Sequence, residues 1–452
     1  MDGWPGVILE HPSPGGTGPS RSEGNVAGGW NLGPFGVCNH DGPETIRARK
    51  YATGTHVLLQ EIGVETRSMP REVVWSRNKT RLYRYRRPRE RGGVGVGERR
   101  LVPALLVYGF VLKPYVLDLV PGNSLVEYLV GEGFDVYVLD FGISGAEDAA
   151  LTLEDSVLDH MHGAVEKVVE TSGAEGVSLF GPSQGGTLCA MYASMFPGGP
   201  LKNLVLLSAP TEFAPQNPGL LGLWTHASRN GGSFFDPAIV PQVFGNLPTD
   251  LASSFINTAA SLQAAGVGMA ARSVAFGLYD ASLREVRVWA GRDVSLRSCL
   301  AVSKWVDDAA PFPGETFRRW VRDFYQRDKL VKGQVELRGR RVDLSNIRCP
   351  VLNISGKWDY VVPPSQTEAT TVLADSPDKE SVSLDAGHVG MLVGPGRGPV
   401  AQGQGLARAA LSSLGERRRP GAGAFCGRGL RLVLREIEEL AGTQQLVAAH
   451  RV

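Results

Sequence analysis

Ser183 lies in Gly181-Pro182-Ser183-Gln184-Gly185, a G-x-S-x-G pattern. A β-rich apolar run, residues 176–181, climbs to the first glycine, and small residues follow the serine. That context suits a strand-to-helix turn tight enough to expose the hydroxyl as a nucleophile. The competing reading is a glycine-rich helix start that cradles a phosphate, but the Lys-Ser/Thr ending of a P-loop is absent. A serine hydroxyl is a weak nucleophile at neutral pH and needs a base. Of the eight histidines, His11, His40 and His56 fall in or beside a Gly/Pro/Ser-rich beginning, and His450 is almost the last residue. His160 and His162 sit in a helical pattern that suits packing or solvation, and His226 lies in an inserted region. His388, in Ala386-Gly387-His388-Val389-Gly390, follows a strand-like run and stands where the base belongs in the chain order Ser…Asp…His. Asp359, in Ser355-Gly356-Lys357-Trp358-Asp359, follows the preceding strand and suits the orienting acid; otherwise it is a turn aspartate. Asp385 competes with it, but would still be on the strand before His388. The oxyanion needs two backbone N–H groups. One is expected from Gln184 and the other from the loop near Phe110 or Val111.

These residues need a rigid frame, and the hydrophobic pattern supplies one. Apolar runs at residues 104–110, 135–142, 176–181, 202–210 and 349–356, with 379–388, read as strands. Helical spacing at 123–134, 153–173, 183–196 and 364–374 alternates with them. The alternation predicts a mostly parallel sheet with helices on both faces, an α/β fold. Residues 72–88 read as a hairpin around Ser76-Arg77-Asn78-Lys79. Residues 67–100 hold 12 Arg and Lys against three Glu, which suits a solvated hairpin or a contact for phosphates or an acidic surface. The rhythm breaks over about 213–330, where Trp224, Phe234, Phe235, Trp305, Trp320 and Phe324 suit an inserted, mainly helical cap, either packing its core or lining a tunnel. Residues 1–62 are Gly/Pro/Ser/Asn-rich and read as a poorly ordered extension, 63–395 as the catalytic domain, and 396–452 as a Gly/Arg-rich tail with one helical stretch at 430–442.

The chain has 452 residues, 42% of them hydrophobic, which is ample for a full core. Its net charge of +1 gives no global field toward nucleic acid or a membrane. Cys38, Cys189, Cys299, Cys349 and Cys426 are scattered without a C-x-x-C pair, which suits a reducing compartment and no structural metal. The N-terminus has no basic n-region and no apolar h-region, and the apolar stretch 101–120 is broken by Lys113, Pro114 and Asp118. The expectation is a soluble cytoplasmic protein without a membrane span.

Several stretches in order resemble polyhydroxyalkanoate synthases, most closely the catalytic subunit of the type III enzymes. They are LLVYGFVLKPYVLDLVPGNSLVEYLVGEGFDVYVLDFG, SLFGPSQGGT, KWVDDAAPFPGETFRRWVRDFYQRDKLVKG, RRVDLSNIRCPVLNISGKWDYVVPP and GHVGMLVG, spread over roughly 63–394. The resemblance implies an α/β-hydrolase fold with a cap and a catalytic triad of Ser183, Asp359 and His388. It implies (R)-3-hydroxyacyl-CoA as substrate, joined into polyester with release of CoA and without a further cofactor. A second synthase subunit, a polyester granule surface and a homodimer are the partners it suggests. The chain departs from the family's pattern in having Ser183 for the nucleophilic cysteine, Tyr360 where a histidine usually follows the aspartate, and an unlike tail after Gly394. A serine esterase or thioesterase on the same fold is the alternative function. A granule- or partner-binding protein with a degraded site is the second.

Overall fold

The sheet forms where the sequence is most uniformly apolar. In the computed structural model the strands are β1 (Arg71–Arg77), β2 (Thr80–Tyr85), β3 (Ala104–Val107), β4 (Asp118–Val120), β5 (Asn123–Ser124), β6 (Val136–Asp140), β7 (Val177–Pro182), β8 (Leu201–Leu207), β9 (Val335–Leu337), β10 (Arg340–Val342), β11 (Val351–Gly356) and β12 (Lys379–Leu384). The structure describes residues 66–86, 102–214, 219–230, 236–251, 301–357 and 359–392, apart from positions 68, 303, 360, 385 and 386. The extension 1–62, the tail 396–452 with its expected helix, Phe234, Phe235 and much of the expected cap lie outside the described residues.

Eight strands make one sheet in the order β1-β2-β6-β3-β7-β8-β11-β12. From β6 to β12 all neighbours are parallel, whereas β1, β2 and β6 pair antiparallel. Successive residues of a strand point to opposite faces, and the core divides accordingly. Leu105, Val107, Leu179, Leu204 and Leu206 enter one apolar cluster. Leu106, Phe180, Val205, Leu207 and Ile354 enter the other. Both faces are therefore covered, as parallel strands require.

The helices are α1 (Leu125–Gly131), α2 (His162–Ser172), α3 (Gln184–Met195), α4 (Gly219–Asn230), α5 (Ile239–Phe244), α6 (Gly314–Trp320) and α7 (Ala369–Leu373). α1 starts at Ser124, whose hydroxyl accepts the Glu127 N–H at 2.9 Å, an N-cap that satisfies one orphan donor. α2 ends at Gly173, which takes φ +66° and donates to Val169 O at 3.0 Å.

Several elements differ from the sequence reading in extent. The strand expected over 104–110 stops at Val107, because Tyr108–Leu112 leaves the sheet as a loop. The hairpin turn contracts to Asn78 and Lys79, with Asn78 at φ +52°, a conformation asparagine tolerates. Residues Asp155–Met161 and Val321–Gln326 are π-helical turns adjoining α2 and α6. The arginines of the hairpin find local partners: Arg84 binds Asp135 through two hydrogen bonds of 2.8 Å, and Arg71 lies over the Tyr83 ring. Among the described residues, no helix is long and apolar enough to cross a membrane.

Candidate active site

β7 runs fully buried to Pro182, and α3 begins at Gln184, so Ser183 alone makes the reversal. It does so at φ +48° and ψ −127°, a strained conformation for a residue with a side chain. Its N–H is tied to Leu207 O on β8 at 2.8 Å. The turn is possible because its two limbs nearly touch. A Cβ on Gly186 would collide with the Gly181 carbonyl and the Ala209 side chain, so only glycine fits there.

His388 reaches the serine from the loop beyond β12. Its Nε2 lies 3.1 Å from Ser183 Oγ, and its Nδ1 lies 2.7 Å from Asp359 Oδ2. Asp359 follows β11, and its side chain is fully buried. Its other oxygen, Oδ1, accepts the N–H groups of Val361 and Val362 at 3.0 and 2.8 Å. These bonds fix the orientation of the carboxylate toward His388. With Nδ1–H donating its hydrogen bond to Asp359, Nε2 is left to accept the serine proton. Three residues from the ends of three different strands thus meet in one hydrogen-bonded line. Asp385 and Tyr360 lie outside the described residues.

The expected oxyanion donors are also brought together. Gln184 is the first residue of α3, where N–H groups lack helical acceptors. The loop after β3 passes over it, and the Phe110 N–H donates to Gln184 Oε1 at 2.7 Å. Among the described residues, the Val111 and Gln184 N–H groups have no acceptor. The Phe110 N–H is therefore engaged by the Gln184 side chain.

The cap contributes what sequence reasoning missed. The segment 304–312 lies along this loop: Ala310 N–H donates to Val111 O at 2.7 Å, and Trp305 Nε1–H donates to Lys113 O at 2.7 Å. Lys113 forms an ion pair with Asp308, and Phe110 stacks on Phe312 at 5.2 Å between centroids. No local pattern announces contacts between residues nearly two hundred positions apart. Trp320 and Phe324 pack edge to face at 4.7 Å within the core. Ser208 was also missed. It follows β8 at φ +44° and packs its hydroxyl against the sulfur of Met391, just beyond His388.

The remaining described histidines stand apart. His160 is buried with Nδ1 3.1 Å from Thr80 Oγ1, and burial pushes its pKa down. His162 meets the Tyr192 hydroxyl at 2.9 Å and stacks on Phe196. His226 is exposed beside Asn230. No group of His, Cys, Asp and Glu among the described residues is arranged to hold a metal ion.

Residues 103–395 match the family described as alpha/beta hydrolase fold. The chain is 33% identical over 347 residues to the "Poly(3-hydroxyalkanoate) polymerase subunit PhaC" of Allochromatium vinosum, covering 76% of this chain and 90% of that one. It is also 33% identical over 348 residues to the protein of the same name from Synechocystis sp., covering 76% and 85%. Among solved structures, a soluble variant of monoglyceride lipase from Saccharomyces cerevisiae superposes with a TM-score of 0.47 at 15% identity, covering 78% of this chain and 96% of that one.

Proposed function

The chain belongs to the α/β-hydrolase fold family and, within it, to the poly(3-hydroxyalkanoate) polymerase subunits, and from that membership we propose that it joins (R)-3-hydroxyacyl units from their CoA thioesters through an ester on Ser183. It is an acyltransferase of the polymerase type. The observation that supports the serine route is the continuous line from Ser183 Oγ through His388 to Asp359 at a strained elbow.

In the first half-reaction Ser183 Oγ attacks the thioester carbonyl while His388 Nε2 takes the hydroxyl proton. Asp359 holds the ring orientation and stabilises the imidazolium. Negative charge gathers on the carbonyl oxygen, where the N–H groups of Gln184 and of the loop after β3 would receive it. The tetrahedral species collapses, the C–S bond breaks, and the CoA sulfur leaves with the proton from His388. The products are an acyl ester on Ser183 and free CoA.

In the second half-reaction the hydroxyl of another 3-hydroxyacyl unit attacks that ester, with His388 again as base. A new ester bond forms, and Ser183 Oγ recovers its proton. Each step uses this chain's side chains and backbone, so the reading invokes no cofactor beyond the CoA of the substrate. A cysteine nucleophile would keep the acyl group as a thioester. Serine converts it to an oxoester, whose alkoxide is a poorer leaving group than a thiolate. The first step therefore runs downhill and the second is slowed.

The same intermediate can pass to water, and the serine itself favours that second reading, hydrolysis to free hydroxy acid. Incubation with 3-hydroxybutyryl-CoA, following CoA and polymer together, separates them. CoA with polymer supports the polymerase. CoA with free acid replaces it with a thioesterase, and no CoA in the presence of the native partner replaces both with a binding role. The polymerase reading carries with it a second synthase subunit, a cytoplasmic granule surface and self-association as a homodimer. Co-purification from the native host tests these, and a monomer indifferent to any partner counts against them.

A further inference from the structure

We infer that the Gln184 side chain is a positioning residue that sets the oxyanion site, holding the Phe110 N–H so that Val111 presents the second donor. The inference rests on the serine acyl-enzyme reading above and adds to the backbone role of Gln184 a separate role for its amide.

The argument follows three consecutive peptide groups. In the first, between Gly109 and Phe110, the N–H donates to Gln184 Oε1 at 2.7 Å. In the third, between Val111 and Leu112, the carbonyl accepts the Ala310 N–H at 2.7 Å. The second, between Phe110 and Val111, carries the N–H without an acceptor among the described residues. Peptide groups are planar and rigid. With both outer planes tied, the middle one is left few orientations. The Phe110 ring removes more of that freedom, being 6% exposed and lodged between Phe141 at 4.8 Å and Phe312 at 5.2 Å.

Gln184 can make this contact only because of its neighbour across the turn. A Cβ on Gly109 would run into Gln184 Oε1 and stand 3.0 Å from Gln184 Cβ. The glycine thus clears space for the amide rather than for a special backbone angle. Removing the acceptor would leave the Phe110 N–H without a partner in a mostly buried place, which is unfavourable. The loop would turn to relieve that cost and carry the Val111 donor with it. Loss of an oxyanion donor lowers rates by about 10²–10³-fold, and displacement of one by less.

The test is inactivation of Ser183 by an alkyl fluorophosphonate, with kinact and KI determined separately. Phosphonylation builds the same negative oxygen without requiring polymer chemistry. Gln184→Met keeps length and backbone but loses the oxygen acceptor. It is expected to lower kinact about 10–10²-fold, with KI unchanged and the CoA burst from 3-hydroxybutyryl-CoA reduced in parallel. Gly109→Ala should reproduce the loss by displacing an intact Gln184, and the double variant should be no worse than either single one. A kinact for Gln184→Met within twofold of the parent, a loss confined to KI, or additive losses in the double variant would overturn the inference. If Gly109→Ala does not fold, Gln184→Asn, too short to reach Phe110, takes its place with the same expectation. A parent enzyme whose Ser183 is not labelled overturns the acyl-enzyme reading and this inference with it. A labelled parent and an equally reactive Gln184→Met overturn this inference alone.

Discussion

Ser183 and Cys189 sit at the start and in the interior of one stretch of chain, and both carry groups that could attack an acyl carbon. By intrinsic reactivity the thiol is the better nucleophile. Their surroundings reverse that order. Ser183 stands at the strained elbow with His388 Nε2 at 3.1 Å. Cys189 is 0% exposed in the apolar cluster beneath the sheet, and burial pushes its thiol up, so it stays protonated. Nucleophilicity here belongs to a place in the fold more than to an element. The contrast is open to attack at several points.

The largest effect should come from removing what only Ser183 possesses. His388→Ala is expected to lower turnover by about 10⁴-fold or more, with the protein still folded. Asp359→Asn should cost less than that, about 10⁴-fold against about 10⁶-fold for full loss of the base, because asparagine still fills the site but offers His388 the wrong hydrogen-bonding partner. Steady-state kinetics with 3-hydroxybutyryl-CoA, alongside thermal melting, reads both. If Asp385→Asn proves the more damaging of the two acid variants, the orienting acid has been misassigned.

Moving the thiol to the elbow sharpens the contrast. Ser183→Cys places sulfur where base and donors already stand, and the intermediate becomes a thioester. Chain growth should then quicken by the order of tenfold, the factor that a barrier lower by about 1.4 kcal/mol supplies. The serine form should show a presteady-state burst of CoA ahead of slow transfer, and the cysteine form should lose that separation. Equal rates of polymer growth would mean that the site compensates for the poorer leaving group.

A smaller effect is expected where the cap meets the oxyanion loop. Trp305→Phe removes the bond from the indole N–H to Lys113 O but keeps a ring beside Tyr108. One neutral hydrogen bond contributes about 0.5–1.5 kcal/mol, so kcat should fall a few-fold, with Ser183 still open to fluorophosphonate. A loss as large as that of His388→Ala would give this contact a share in the chemistry itself.

The unequal size of these effects follows how each part could be read from the chain. The elbow was legible because its causes are local: an apolar run, a serine, glycines that let the turn close, then small residues. His388 and Asp359 were legible because each follows a strand in a fixed order, and Asp359 does face His388. The sheet was legible because strands buried on both faces read as continuous apolar runs. The strand reads through to Phe110 in sequence although it ends at Val107, since Tyr108 and Phe110 are as apolar as what precedes them. Leaving the sheet there depends on Gln184 and on residues 305–312, which lie far along the chain. Hydrophobic pattern records burial, and it does not record which distant peptide group a loop will bind.

The smallest effect on catalysis should come from Cys189, and it closes the contrast from the other side. Cys189→Ala deletes one buried heavy atom from the interior of α3, where Leu188 and Ala190 are equally sealed. The loss of packing should cost about 1 kcal/mol and lower Tm by a few degrees. No rate constant for CoA release or transfer should change, since the thiol neither reaches the elbow nor ionises. A thiol reagent applied to the native protein should likewise leave Cys189 unmodified until the core opens, because modification requires both access and thiolate. Reaction at Cys189 in the folded state, or a slowed transfer step in Cys189→Ala, would bring this side chain into the acyl path. Ser183 would then no longer be the only nucleophile on which the chemistry depends.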